Sequence, residues 1–347
     1  MDNLSKRITY SILDVVPVSK GSSPAQTFEK SLDLARRAES LGYERIWYAE
    51  HHNMLSIASS ATPVIIGYIA SGTQRIRVGS GGIMLPNHSP LVIAEQFGTL
   101  ATLYPGRIDL GLGRAPGTDP ETAHAIRPDR ITYVHHFPDE IKKIEQYLSK
   151  DNAGAKVRVP FAEGVEIPIY VLGSSTDSAW LAARTGRPYA FASHFATGQL
   201  MEALNIYYNE FVPSAYLREP YAIACINVIA ADTDAEAEKI STSLLRMFLN
   251  VLSGKPDYLQ EPVEMTSDLR ELWNHPSVQQ MLKYTFAGSK ETVKQKTEAF
   301  LALTRVNELM VVTNTYDHQD RLKSYKIFSE IMSEISMPAA SAATQSN

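Results

Sequence analysis

Short apolar runs alternate along the chain with longer amphipathic ones. The runs at 8–16, 44–49, 76–85, 107–113, 168–173, 188–194, 221–231 and 308–313 are near-continuously hydrophobic, the pattern of strands buried on both faces. Helical periodicity fills the spaces between them, at 25–41, 61–71, 91–104, 139–148, 177–185, 198–211 and 235–252. Two more helices, 290–304 and 319–335, flank the last strand. Eight strand–helix units are the count of a closed (β/α)8 TIM barrel, an α/β fold, with an open doubly wound sheet as the weaker alternative. Boundary chemistry agrees with this phase: Ser23 and Pro24 open the first helix and Gly42 closes it.

Two stretches exceed ordinary connector length. Residues 117–137 follow the fourth strand and residues 253–286 lie beyond the seventh, and insertions of this kind at barrel loops commonly form lids or binding walls. No repeat and no composition break marks a second domain, so residues 1–337 read as one barrel domain and 338–347 as a disordered tail.

Composition narrows the function classes. A net charge of −5 without a basic block argues against nucleic acid and against an anionic membrane surface. A single cysteine, Cys225, excludes an internal disulfide and suits a reducing compartment. With no membrane-length apolar run and no signal-like start, the expected location is the cytoplasm.

Residues at the carboxyl ends of barrel strands look into the active-site mouth, so the chemistry is sought there. The second strand ends in Glu50-His51-His52, where a histidine can serve as acid or base and Glu50 can orient it. Adjacent histidines on extended chain point to opposite faces and chelate poorly, so no metal is expected. The third strand leaves through Gly79-Ser80-Gly81-Gly82, glycines that mark a bulge, a bend or backbone approached closely by a ligand. The fourth exits through Gly111-Leu112-Gly113-Arg114, which fails the dinucleotide fingerprint but offers Arg114 as an anion partner. After the fifth come Gly173, Ser174, Ser175, Thr176, Asp177 and Ser178 at a helix start, suited to a phosphate. Ser174 and Asp177 also stand at capping-box spacing, and on that segment alone an ordinary cap is the simpler reading. His194, at the end of the sixth strand, is a further pocket candidate; His88 reads as a surface or supporting residue, and Cys225 as a buried inert thiol.

Taken together, LGYERIWYAEHHN, VGSGGIMLPNHSPLVIAEQFGTLATLYPGRIDLGLGRAPG, VLGSS and AFASHF resemble the bacterial luciferase-like flavin monooxygenase family over most of the chain. The resemblance implies a (β/α)8 barrel holding FMN, as reduced FMN, at the strand ends, commonly in a homodimer. It puts the catalytic histidine at His51, a non-prolyl cis peptide at Gly81-Gly82, the phosphate arginine at Arg114 and the hydroxyl-rich turn at Ser174, Ser175 and Ser178. O2 would be the oxidant, a small molecule the substrate, and a separate NAD(P)H:flavin reductase the source of reduced FMN. Two departures matter. The cysteine of luciferase catalytic subunits is Gly113 here, so light emission is not inherited, and Asp177 stands where a threonine would meet the phosphate. Relatives that transfer hydride with F420, and flavin-binding proteins without activity, are the alternatives the resemblance leaves open.

Overall fold

The structure, a computed structural model, describes residues 8–335, and the tail at 338–347 lies outside them. The eight apolar runs become strands β1 (Thr9–Asp14), β2 (Arg45–Tyr48), β3 (Arg77–Met84), β4 (Ile108–Gly113), β5 (Ile169–Gly173), β6 (Tyr189–Phe191), β7 (Ala222–Ala231) and β9 (Glu308–Val312), with β8 (Thr285–Ser289) added between the last two. Between them run α1 (Pro24–Ser40), α2 (Thr62–Ser71), α3 (Pro90–Leu103), α4 (Pro120–Ile126), α5 (Arg130–Val134), α6 (Phe137–Leu148) and α7 (Thr176–Thr185). They are followed by α8 (Leu200–Asn209), α9 (Asp234–Leu252), α10 (Ser267–Asn274), α11 (Pro276–Met281), α12 (Lys290–Thr304) and α13 (His318–Ile335). α1 starts as its letters predict: Ser23 Oγ accepts from Gln26 N–H at 3.2 Å and Gln26 Oε1 accepts from Ser23 N–H at 3.0 Å, with Pro24 in the first turn.

Every pairing between these strands is parallel, and β1 to β7 with β9 close into an eight-stranded barrel. The ninth strand is a correction to the sequence reading, which absorbed Thr285 and Phe286 into a loop. β8 has only five residues and alternating burial, and it pairs with β7 alone. β7 is long enough for both duties. Its first half meets β6 and β9, and its second half, from Asn227 to Ala231, runs on and takes β8 along the edge β6 has left.

Burial follows this plan. One large apolar layer, including Ile12, Ile46, Ile66, Phe97 and Phe328, lies between barrel and helices. A smaller cluster with Leu13, Trp47, Ile223, Cys225 and Met310 fills the barrel itself. A third packs the β7–β8 extension against α9 and α11.

Towards the amino ends of the strands the barrel is plugged by charge. Arg45 Nη1 donates to Asp109 Oδ2 and to the Tyr170 hydroxyl, each at 2.7 Å, and Arg45 Nε donates to Glu308 Oε1 at 3.0 Å. Arg77 pairs with the other Asp109 oxygen, and the Tyr221 hydroxyl donates to Glu308 Oε2 at 2.6 Å. Each charge would be costly alone in this interior; together they are paired and hydrogen-bonded. The Trp47 indole donates to Asp109 at 3.0 Å and meets the Tyr170 ring edge-on, so these two aromatics form the boundary between plug and apolar floor.

Candidate active site

Above that floor, at the carboxyl ends of the strands, lies a cavity of about 970 Å³. Leu13, Trp47, Leu172, Ile223, Cys225 and Met310 line its depth. Its wall includes Glu50, His51 and His52 from β2, Gly81 from β3, Arg114 beyond β4, and Gly173, Ser174, Ser175 and Ser178 from the β5 turn. The strand ends thus gather all but one of the sequence-selected site residues around one space. Gly82 is buried and does not line it.

β3 bends where the glycines are. Gly81 pairs with Gly111 and Ile83 with Leu112, so Gly82 is bulged out of register, and the Gly81–Gly82 peptide bond is cis, where the family resemblance put it. A Cβ on Gly81 would stand 2.7 Å from Leu13 Cδ1 and 2.9 Å from Trp47 Cβ, so only glycine lets this wall close on the floor. Gly117, with φ +68, brings the loop after β4 over the β2 exit, and a Cβ there would meet the Glu50 carbonyl oxygen at 2.5 Å.

Glu50 does not do what the sequence reading assigned to it. Its carboxylate accepts from His52 Nε2 and His88 Nε2, both at 2.9 Å, from Met84 N–H at 2.9 Å and from Asn87 Nδ2 at 3.3 Å. Those bonds tie β2 to the β3 exit and leave no hydrogen bond to the His51 ring among the described residues. Burial alone would raise the Glu50 carboxyl, but the imidazole and amide donors outweigh it and hold it at about 2. His88, read as a surface or supporting residue, is a supporting one, and one of these clamps. Nothing in its own neighbourhood in the sequence pointed to Glu50, which lies 38 residues away.

His51 is oriented by backbone instead. Its N–H donates to Ser59 O at 3.0 Å, and its Nδ1 lies 3.4 Å from Gly117 O. A carbonyl can only accept, so the proton sits on Nδ1 and the Nε2 lone pair is the base. Burial lowers the His51 pKa and favours that neutral form. His194 is a second wall imidazole; burial, with some help from nearby His51, pushes it down to about 3. Cys225 is buried as expected, its thiol pushed well above the ordinary range by desolvation.

At the other end of the cavity the predicted capping box does not form. The cap of α7 is Ser175, without a side-chain cap bond, and Asp177 turns to Arg114, Nη2 to Oδ2 at 2.9 Å. The first-turn N–H groups of α7 therefore have no capping side chain, beside an arginine whose present partner is exposed. Ser178, expected as a phosphate hydroxyl, donates to Ser175 O at 2.7 Å and lies 3.1 Å from the Tyr189 hydroxyl, so it braces the turn. The region beyond β7 also reaches the site, through Val251 and Pro256, which no motif had marked.

An apolar-floored cavity at the carboxyl ends of a (β/α)8 barrel, lined by imidazoles and by a helix start without a capping side chain, stands where barrel enzymes carry their active sites. The chain belongs to the luciferase-like monooxygenase family, whose model matches residues 8–325. It is 46% identical over 334 residues to a luciferase-like monooxygenase of Escherichia coli (strain K12), a match covering 95% of this chain and 98% of that one. The crystal structure of apo-MsnO8 superposes with a TM-score of 0.85 at 32% identity, covering 94% of this chain and 98% of the other. The oxygenating constituent of 3,6-diketocamphane monooxygenase from Pseudomonas putida, a type II Baeyer-Villiger monooxygenase in complex with FMN, shares the fold with a TM-score of 0.72. It is 18% identical and covers 94% of this chain and 98% of its own.

Proposed function

We propose that this barrel is the oxygenating half of a two-component FMN-dependent monooxygenase, acting with O2 on a small organic substrate and served by a separate NAD(P)H:flavin reductase in the cytoplasm. The observation that carries the reading is one cavity joining a neutral imidazole base, His51, to a helix start without a capping side chain beside Arg114.

The residues present fit FMN. A phosphate at the start of α7 would take the open first-turn N–H groups and draw Arg114 from Asp177, with the Ser174 and Ser175 hydroxyls alongside. Gly81 lines the cavity while Leu13 and Trp47 fill the space a side chain there would take, so a flat ring system on that wall would lie against backbone. When bound, reduced FMN supplies the two electrons and the O2-activating chemistry. This chain's residues bind and orient, exclude water through the apolar floor, and accept or return a proton at His51 Nε2. Glu50 holds the mouth together through His52 and His88, so its part is positioning.

We read the working form as a homodimer. α2 is almost wholly apolar, packs on α3, and turns Val64 outward at 73% exposure, with Tyr68, Val92 and Leu103 also exposed on the same pair of helices.

Titration with FMN, riboflavin and F420, read by fluorescence, tests the reading, followed by turnover with reduced FMN and O2. FMN should bind at least about 10-fold more tightly than riboflavin, as loss of one charge-assisted hydrogen bond of ~1.5–3 kcal/mol requires. Equal affinity for the two refutes the phosphate site; saturation by F420 and not FMN moves the chain to hydride transfer; no oxygen uptake leaves a flavin-binding protein.

A further inference from the structure

The charges around the cavity bound what it can accept. Among the described residues Glu50, Arg114 and Asp119 are the charged side chains lining it. Glu50 is spent on His52, His88 and Met84 N–H. Asp119 caps α4, accepting from Thr122 N–H at 2.9 Å and from the Asn53 amide at 3.2 Å. Arg114 faces Asp177 and, on the flavin reading, exchanges it for phosphate. In neither state does a cation remain for a second anion. A carboxylate or sulfonate carried over this apolar floor would lose its hydration without a partner.

Polar capacity does remain, at His194. Its Nδ1 is buried with no hydrogen-bond partner, and neither ring nitrogen bonds another described residue. An N–H with no acceptor is the costlier orphan, so the proton belongs on Nε2, which makes the ring a neutral donor on the cavity wall. The position is held: Asn227 Nδ2 donates to the His194 carbonyl at 2.7 Å, and the ring stands edge-on to Phe195 at 4.8 Å. Phe195 and Val251, both half exposed, make the outer wall apolar as well.

We propose that the substrate is an uncharged, largely apolar molecule bearing one hydrogen-bond acceptor of the ketone or ester type, and that His194 Nε2–H is the positioning donor that orients it. The proposal deepens the flavin reading and concerns the same cavity, but its charge argument holds whether Arg114 keeps Asp177 or takes phosphate.

Three probes of one skeleton test it by calorimetry, with and without FMN: 4-phenylbutan-2-one, 3-phenylpropanoate and butylbenzene. The ketone should bind at least about 10-fold more tightly than the carboxylate and several-fold more tightly than the hydrocarbon, as one neutral hydrogen bond gives. His194→Phe should erase the ketone's advantage over the hydrocarbon, while His194→Gln, which keeps a donor, should restore part of it. A carboxylate that binds as well as the ketone, a ketone that does not saturate, or an unchanged preference in His194→Phe overturns the proposal. FMN affinity, measured on the same preparations, separates the two readings. If FMN does not bind but the ketone leads, the flavin reading falls and this one stands; if FMN binds and the ranking reverses, the opposite holds.

Discussion

Replacing Glu50 by Gln removes one charge and almost no volume from a side chain only 1% exposed. Glu50 is held at about 2 in the fold, against about 4.3 for a glutamate in the unfolded chain. A group depressed in this way stabilises the folded state above its unfolded value, and the stabilisation is lost as pH falls towards the folded one. The difference corresponds to about 3 kcal/mol at neutral pH. Burial is deep enough that solvent screening takes little of it away, and the Gln amide would also turn a donor towards groups that are themselves donors. Urea unfolding of the two proteins should therefore differ by about 3 kcal/mol at pH 7, with unchanged slope, and by roughly half as much near pH 3. A difference below ~0.5 kcal/mol at neutral pH, typical of an indifferent surface site, refutes the clamp. So does a full difference that persists unchanged into acid.

Other expectations concern the cofactor, the base and the outer helices. Asp177→Asn frees Arg114 and should tighten FMN binding about 1.4–5-fold, the range an exposed pair of ~0.2–1 kcal/mol allows, with the gain fading in salt; unchanged or weaker binding in a fluorescence titration counts against competition at Arg114. His51→Ala should lower turnover by about 10²–10⁴-fold with circular dichroism and FMN affinity intact, and wild-type turnover would remove His51 from the chemistry. Val64→Glu should convert a dimer to a monomer in sedimentation velocity, whereas an unchanged sedimentation coefficient places the subunit contact elsewhere.

The barrel was legible because strands covered on both faces read as mostly apolar runs with few polar letters, as β1, β2, β4 and β9 do. β8 was not, because a short strand added outside the barrel, TFAGS, needs neither a long apolar run nor two covered faces. The site positions were legible as far as topology alone determines them: strand ends meet at the mouth, and Glu50, His51, Gly81, Arg114 and Ser174 all arrive there. Hydrogen-bond partners were not. Glu50 and His51 are neighbours in the chain, yet the Glu50 carboxylate belongs to His88 and the His51 ring to Gly117, choices made by loops from other strands. The plug of Arg45, Asp109 and Glu308 escaped notice for the same reason, although a lone charge inside a hydrophobic strand is itself a sign that a partner waits across the barrel.

β7 continuing past the point where the barrel closes has a consequence for redesign. Closure uses the half of that strand joined to β6 and β9, while the peptide carrying α10 and α11 returns through β8 to the half that projects beyond. Replacing residues 253–284 while keeping Leu259, whose backbone is bonded to Val18 and Lys20, would reshape the side of the cavity that Pro256 lines and leave the ring of eight strands untouched.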